Sequence, residues 1–260
     1  MTSAETVLIT GASAGIGVEL ARLFAADRSN LILVARRVER LETLAAELRQ
    51  QHGVRVQVLA ADLSAPDAAE QVFNTLNAQG AIVDVLVNNA GFGAHGFFFN
   101  LDADLQTRMI QVNVVATTQL TRLFLPGMIE RRRGGVLNVA SIAGFQPGPW
   151  MTVYYATKAY FLSFSEALAE EVRGKGVTIT CLAPGPTVTE FGQVAGAGHT
   201  PLFRIALMEG AEVARAGHRG YRKGKILVIP GLLNRLVPLV VRLLPRSWVR
   251  KMAGSLQRAR

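Results

Sequence analysis

A β-rich run, Thr6–Thr10, leads directly into Gly11-Ala12-Ser13-Ala14-Gly15-Ile16-Gly17, and an amphipathic stretch then continues to Ala26. A glycine-rich turn between a strand and a helix constrains this chain more than any other feature. Glycine lets the backbone turn sharply and lets another group approach without meeting a Cβ. The following helix aims its unpaired N–H groups and the positive end of its dipole at the turn. The rhythm repeats. Asn30–Ala35, Val54–Ala60, Val83–Val87, Gly135–Ala140 and Gly176–Ala183 are apolar runs rich in Val, Ile and Leu, without strict polar alternation. Such strands are covered on both faces, as in a parallel sheet. Helical stretches separate them at Arg37–Gln51, Ala65–Gln79, Asp102–Arg131 and Thr152–Arg173. The alternation predicts an α/β fold, a doubly wound parallel sheet of about seven strands with helices on both faces. Gly224–Ile229 is the candidate for the last strand.

With 260 residues, half of them hydrophobic, and no Pro- or Ser-rich linker, the chain reads as a single α/β domain over residues 1–229. Within it, the Gly-rich stretch from Phe191 to Tyr221 reads as a mobile substrate flap with a short helix, and residues 230–260 as a basic amphipathic extension. The net charge of +9 is uneven: Val213–Arg260 holds twelve Lys or Arg and no acid, so removing that +12 leaves −3 for the rest. The basic character belongs to the tail, which argues against a nucleic-acid-binding body. The one cysteine, Cys181, excludes an intrachain disulfide and reads as a small buried hydrophobe. Met1–Glu5 runs straight into the first strand, so a cytoplasmic address is expected, and no metal site is expected.

The second strand ends Val34-Ala35-Arg36-Arg37, without a carboxylate. A dinucleotide lacking a 2′-phosphate is usually held there by an Asp or Glu on the ribose hydroxyls, whereas a guanidinium matches a phosphate in charge and fork geometry. The turn residues Gly11, Ser13, Ala14, Gly15, Ile16 and Gly17, together with Arg36 and Arg37, therefore point to NADP(H). Asp62-Leu63 and Asn89-Ala90-Gly91 follow the third and fourth strands, where a doubly wound sheet binds its ligand. Asp62 is placed to reach the adenine edge and Asn89 to Gly91 the adenosine side, although each alone could be a turn residue.

Ser141 follows the fifth strand, and thirteen residues later Tyr154 opens Tyr154-Tyr155-Ala156-Thr157-Lys158. Positions i and i+4 share a helix face, so Tyr154 and Lys158 project together. A phenol is a poor base near neutrality, and a fixed ammonium beside it favours the phenolate. Tyrosine can then exchange a proton with a substrate oxygen that a serine hydroxyl orients. Tyr155, at i+3 from Lys158, is a rival on spacing alone.

These residues together resemble the short-chain dehydrogenase/reductases, a Rossmann-type family. The resemblance spans residues 5 to about 191 and rests on Thr10-Gly11-x3-Gly15-x-Gly17, Asn88-Asn89-Ala90-Gly91, Asn113, Ser141, Tyr154-x3-Lys158 and Pro184-Gly185. It implies that Tyr154 is the acid/base, Ser141 polarises the substrate oxygen, and Lys158 binds the nicotinamide ribose and lowers the Tyr154 pKa. Asn113 would hold a water in a proton relay. The loop Pro184-Gly185-Pro186-Thr187-Val188-Thr189 would meet the nicotinamide carboxamide, with Thr187 and Thr189 as candidates; an aliphatic residue is commoner at position 187. The implied function is an NADP(H)-dependent carbonyl reductase or secondary alcohol dehydrogenase with a small-molecule substrate, assembled as a dimer or tetramer. The alternative, a catalytically idle dinucleotide-binding sensor or scaffold, has no need of the full Asn113, Ser141, Tyr154 and Lys158 set.

Phe92, Phe97, Phe98, Phe99, Trp150, Phe191 and Phe203 cluster in segments that would border a substrate. Aromatic walls suit a bulky apolar ketone, and ordinary core and flap packing explains them equally well. Ile226–Leu244 is apolar but broken by Pro230, Asn234, Arg235, Pro238 and Arg242, which makes a poor spanning helix. An apolar face bordered by arginines suits peripheral contact with an anionic membrane, a lid over the pocket, or a subunit contact.

Overall fold

The computed structural model describes residues 4–198, 200–201 and 207–258. Its centre is a seven-stranded parallel sheet in the order β3-β2-β1-β4-β5-β6-β9, built from β1 (Thr6–Thr10), β2 (Asn30–Ala35), β3 (Val56–Ala60), β4 (Val85–Asn88), β5 (Gly135–Val139), β6 (Thr178–Leu182) and β9 (Leu227–Val228). The chain winds outward from β1 to β3, returns to β4 beside β1, and then winds the other way. The β1/β4 junction is therefore the switch point, where loops diverge and leave a crevice. This is the Rossmann-type doubly wound fold expected above. Two short strands, β7 (Thr187–Val188) and β8 (Met208–Glu209), pair in parallel outside the main sheet.

Helices α1 (Gly15–Ala26) and α2 (Val38–His52) cover one face. Leu20, Phe24, Leu41 and Leu48 pack there against Val7, Ile9, Leu31 and Leu33. The other face carries α3 (Ala68–Ala78) and a long helical rod. Val72, Leu76, Leu120 and Met128 pack there against Leu8, Ile32, Leu86 and Val136. Alternate residues of one strand thus enter opposite cores, as the unbroken apolar runs require.

Two elements differ from the sequence reading. The rod expected as one helix from Asp102 is α4 (Ala103–Ile110), a π-turn (Gln111–Ala116) and α5 (Thr117–Glu130). An extra residue accommodated in a helix leaves its hydrophobic period almost unchanged, so the π-turn is invisible to pattern. The stretch expected to be a mobile flap is not uniform. After the four-residue α7 (Phe191–Val194), residues Gly210–Arg222 form α8, packed on α1 with Val213 and Ala214 fully buried. Gly217 and Gly220 let α8 lie directly on Leu182 and Val228. The tail forms α9 (Leu232–Leu243) and α10 (Arg246–Gln257), after α6 (Thr152–Glu171) in chain order. The expectation for Phe203 lies outside the described residues.

A buried polar ladder crosses the core beneath the site. Asn88 Nδ2 donates to Asn138 Oδ1 at 2.9 Å and to Thr121 Oγ1 at 3.1 Å, and Asn138 Nδ2 donates to Ser165 Oγ at 2.9 Å. It ties β4, β5, α5 and α6 together, and Asn138 is fully buried. Replacing Asn138 by Leu leaves one Asn88 amide hydrogen without its acceptor and removes the bond donated to Ser165 Oγ. We expect Asn138→Leu to lower the unfolding free energy by about 1–3 kcal/mol in a denaturant titration.

Candidate active site

The site is assembled at the carboxyl ends of the strands. Thr10, the last residue of β1, turns its hydroxyl toward β4: Oγ1 donates to Val87 O and accepts from the N–H groups of Asn89 and Ala90, each at 3.0 Å. Asn89 returns the contact, its amide donating to Thr10 O at 2.9 Å and Gly11 O at 3.1 Å. Gly17 packs into this knot: a methyl on it would lie 2.4 Å from the Gly11 carbonyl oxygen and 2.6 Å from the Asn89 amide nitrogen. Gly11, with φ of +66°, would meet Ala90 Cα at 2.8 Å, so both positions admit only hydrogen. Asn89 is thus a loop clamp.

The knot leaves a cradle. Ala14 is the N-cap of α1 and makes no side-chain capping bond, so the first N–H groups of the helix are available to an anion. Ser13 faces the same opening and accepts from Arg37 at 3.2 Å. Arg37 also pairs with Glu190 at 2.8 Å, and Arg40 binds the same carboxylate at 2.5 Å. These arginines, more than any other group, hold the Glu190 carboxyl below its usual range. Among the described residues Arg36 makes no salt bridge, which leaves its guanidinium at the end of β2 without a direct ion pair. Asp62 folds back on its own turn, accepting from Ser64 N at 3.0 Å and Ser64 Oγ at 2.8 Å. Partial burial raises the Asp62 pKa, but the Ser64 bonds and the nearby Arg36 outweigh it and leave the carboxyl lowered. Leu63 is buried in the core.

Gly91 connects the cradle to the catalytic groups. A methyl there would lie 3.1 Å from Asn113 Oδ1 and 3.7 Å from Lys158 Nζ. Asn113 sits in the π-turn and is fully buried. Its Oδ1 accepts from Phe92 N at 3.1 Å, and its Nδ2 donates to Phe92 O at 3.0 Å and Thr157 Oγ1 at 3.1 Å. These bonds use both amide hydrogens and join the β4 loop to α6.

Tyr154 and Lys158 lie on the buried face of α6. Ser141, following β5, lies beside the Tyr154 hydroxyl, donates to Pro184 O at 3.3 Å and accepts from Ala143 N at 3.1 Å. Lys158 Nζ donates to Val139 O at 2.8 Å and lies 5.7 Å from the Tyr154 ring centroid. Burial without a carboxylate partner pushes the Lys158 pKa down to about 8. The Tyr154 phenol moves opposite to the expectation: burial drives its pKa well up, and the Ser141 bond only partly offsets this. At this separation the ammonium does not overcome desolvation. Phe191 lies over Tyr154 with ring centroids 5.0 Å apart.

The loop after β6 is dispersed rather than focused. Thr187 Oγ1 donates to Gly185 O at 2.9 Å and is buried, whereas Thr189 lies beside Gly15 at the start of α1. Pro184 accepts from Ile142 N as well as from Ser141, which fixes this loop to the Ser141 turn. Sequence reasoning missed three neighbours. Asn234 of α9 packs its amide against Gly185, where a methyl would meet it at 2.5 Å. Gln257 of α10 donates to the Tyr155 hydroxyl at 2.6 Å, and its carbonyl lies 2.7 Å from His95 Nε2. Tyr155, the rival tyrosine, is therefore committed to the tail. Of the expected aromatic wall, Phe97, Phe98 and Phe99 are exposed, Phe97 stacks on Phe99 and contacts Trp150, and Phe92 backs the core. Cys181 is a buried β6 residue whose thiol burial pushes up to about 12.

The model of the short chain dehydrogenase family matches residues 5–199. Nodulation protein G of Rhizobium sp. (strain N33) is 41% identical over 179 residues, which cover 68% of this chain and 71% of that protein. A short-chain dehydrogenase from Sphingobium yanoikuyae in complex with NADPH has a TM-score of 0.82 and 33% identity, covering 94% of this chain and 97% of that one. The bulky-bulky ketone specific alcohol dehydrogenase from Comamonas testosteroni has a TM-score of 0.78 and 29% identity, covering 95% and 97%. With a family match over three quarters of its length and the glycine cradle, Ser141, Tyr154 and Lys158 gathered at the carboxyl ends of the strands, the chain belongs to the short-chain dehydrogenases.

Proposed function

We propose that this protein is an NADP(H)-dependent carbonyl reductase or secondary alcohol dehydrogenase for a bulky apolar ketone or alcohol. The convergence of Ser141, Tyr154 and Lys158 next to a glycine cradle carries this reading. The cradle fits a dinucleotide in shape and charge. The open α1 N-terminus, with Gly11, Ser13, Ala14, Gly15, Ile16 and Gly17, would hold the pyrophosphate, and Arg36 the 2′-phosphate. Among the described residues, Val139 O is the hydrogen-bond acceptor of Lys158. An ammonium carries three donors, so two remain for ribose hydroxyls. The NADPH bound by the Sphingobium relative supports the same cofactor here.

When bound, NADPH supplies a hydride to the carbonyl carbon, or NADP+ accepts one from the alcohol. The chain's own residues manage the oxygen. Ser141 holds the carbonyl oxygen and the Tyr154 hydroxyl together. Burial keeps Tyr154 protonated at neutrality, so it is set to donate a proton to that oxygen. Lys158 stands behind it as a buried positive charge that stabilises the phenolate left afterwards. Both Asn113 amide hydrogens are taken up by Phe92 and Thr157, so a relay water held by this residue would donate to the second lone pair of Oδ1 or to a π-turn carbonyl. Phe191 must swing away from Tyr154 to admit substrate, which suits a flap beginning at this residue. Phe191 over Tyr154 and the ketone-specific Comamonas neighbour support a bulky apolar substrate. A homo-oligomer, dimer or tetramer, is part of this reading. A purely cofactor-sensing role would give no purpose to Ser141 beside Tyr154.

The reading is tested by following NADPH oxidation at its absorbance band across steroid, acyl and aromatic ketones and small sugars. Turnover is expected with at least one bulky ketone; activity confined to small sugars, or none on any carbonyl, contradicts it. For the cofactor, Arg36→Ala is expected to weaken NADPH binding by about tenfold or more while leaving NADH unchanged, the loss of one charge-assisted contact. Equal weakening of both cofactors would remove Arg36 from the phosphate site.

A further inference from the structure

α9 is turned inside out. The residue it buries is the polar Asn234, 9% exposed, while Leu232, Leu233 and Leu243 stand 78%, 76% and 85% exposed. Leu232, Leu236, Leu239 and Leu243 recur at helical spacing, so these leucines form one outward stripe. α10 buries Val249, Ala253 and Gly254 and presents Trp248 and Met252, 61% and 52% exposed, on its other side. Leucines and a tryptophan in water lose the burial that ordinarily drives helix packing. Exposed cations lie among them: Arg235, Arg242, Arg246, Arg250, Lys251 and Arg258. The sequence contains no acid from residue 230 onward. The exposed Phe97–Phe99 tip adjoins the same end, since Phe97 contacts Trp150 and the Trp150 ring packs against Gly254.

We propose that α9 and α10 dock on the surface of an anionic lipid bilayer, lying in the headgroup plane with their leucines and Trp248 inserted. At 12 residues each the helices are about 18 Å long, well short of the roughly 30 Å hydrocarbon core, and no described helix is long and apolar enough to cross a membrane. Apolar side chains bordered by arginine, with an interfacial tryptophan, match such a surface. Charge selects it over a second copy of the chain. A two-fold contact of this face with itself would set its cations against the same cations, with no acid in the segment to neutralise them. A negative leaflet supplies that neutralisation. The docking does not depend on the reaction assigned above, so the two proposals stand or fall separately.

The test is co-sedimentation of the full-length protein with vesicles of phosphatidylcholine alone or containing about 30% phosphatidylglycerol. Binding is expected to the anionic vesicles, to fall about tenfold on neutral ones, and to weaken in about 1 M salt, where screening reaches about 3 Å. The triple substitution Leu232→Glu, Leu236→Glu, Leu243→Glu should abolish pelleting while leaving thermal unfolding unchanged, because these side chains point away from the fold. Should that protein fail to fold, Arg242→Gln, Arg246→Gln, Arg250→Gln should reduce anionic binding about tenfold. A wild-type protein that ignores anionic vesicles, or a folded leucine variant that still pellets, overturns the proposal. A wild-type dimer that ignores vesicles and is split by the leucine substitutions assigns the face to a second copy instead.

Discussion

The approach of Gly17 to the Gly11 carbonyl, with the Asn89 amide filling the space beside it, is the contact on which the rest of the site depends. It holds the β1 turn and the β4 turn at one distance, and Thr10 locks that distance with a buried hydroxyl serving three backbone groups. From there each position follows. Asn89 fixes Ala90 and Gly91, Gly91 admits Asn113 and Lys158 side by side, and Asn113 clamps Phe92 to Thr157 on α6. The cradle and the catalytic tyrosine are two ends of one chain of contacts. A single added methyl group near its start would propagate to Tyr154.

The second determinant is uncompensated burial. Lys158 is buried with a carbonyl for company and no carboxylate, and Tyr154 is buried beside a serine. Both groups are pushed toward their neutral forms, which costs stability, as perturbed groups at active sites commonly do. The usual argument that an ammonium lowers the tyrosine pKa assumes that its field exceeds desolvation. Here the separation is 5.7 Å to the ring centroid and desolvation dominates. The protein therefore presents a proton donor, which matches reduction of a carbonyl at neutral pH.

What could be read from the sequence was local. The glycine turn, the apolar strands and the Tyr154–Lys158 spacing each declare themselves within a few residues, and the sheet follows from their alternation. What was hidden depends on distance or on backbone changes that the hydrophobic pattern does not record. The π-turn at Gln111–Ala116 leaves the hydrophobic pattern of the rod intact. The flap reading rested on the glycines that begin at Gly192 and was carried on to Tyr221, yet within it Gly217 and Gly220 are what let α8 lie against Leu182 and Val228. Gln257 meets Tyr155 across 102 residues and His95 across 162, which no local pattern encodes. Asn234 looked like a flaw in an apolar run; it is the inward-facing residue, and the leucines around it are the ones left outside.

The central claim is that Tyr154 delivers the proton. The most direct measurement is single-turnover ketone reduction by Tyr154→Phe saturated with NADPH, with cofactor binding followed separately by fluorescence. The account predicts unchanged NADPH binding and a chemical step slower by about 10²–10⁴-fold, the usual worth of a positioned general acid. A Tyr154→Phe enzyme that binds NADPH normally and reduces the ketone at near wild-type rate would contradict it.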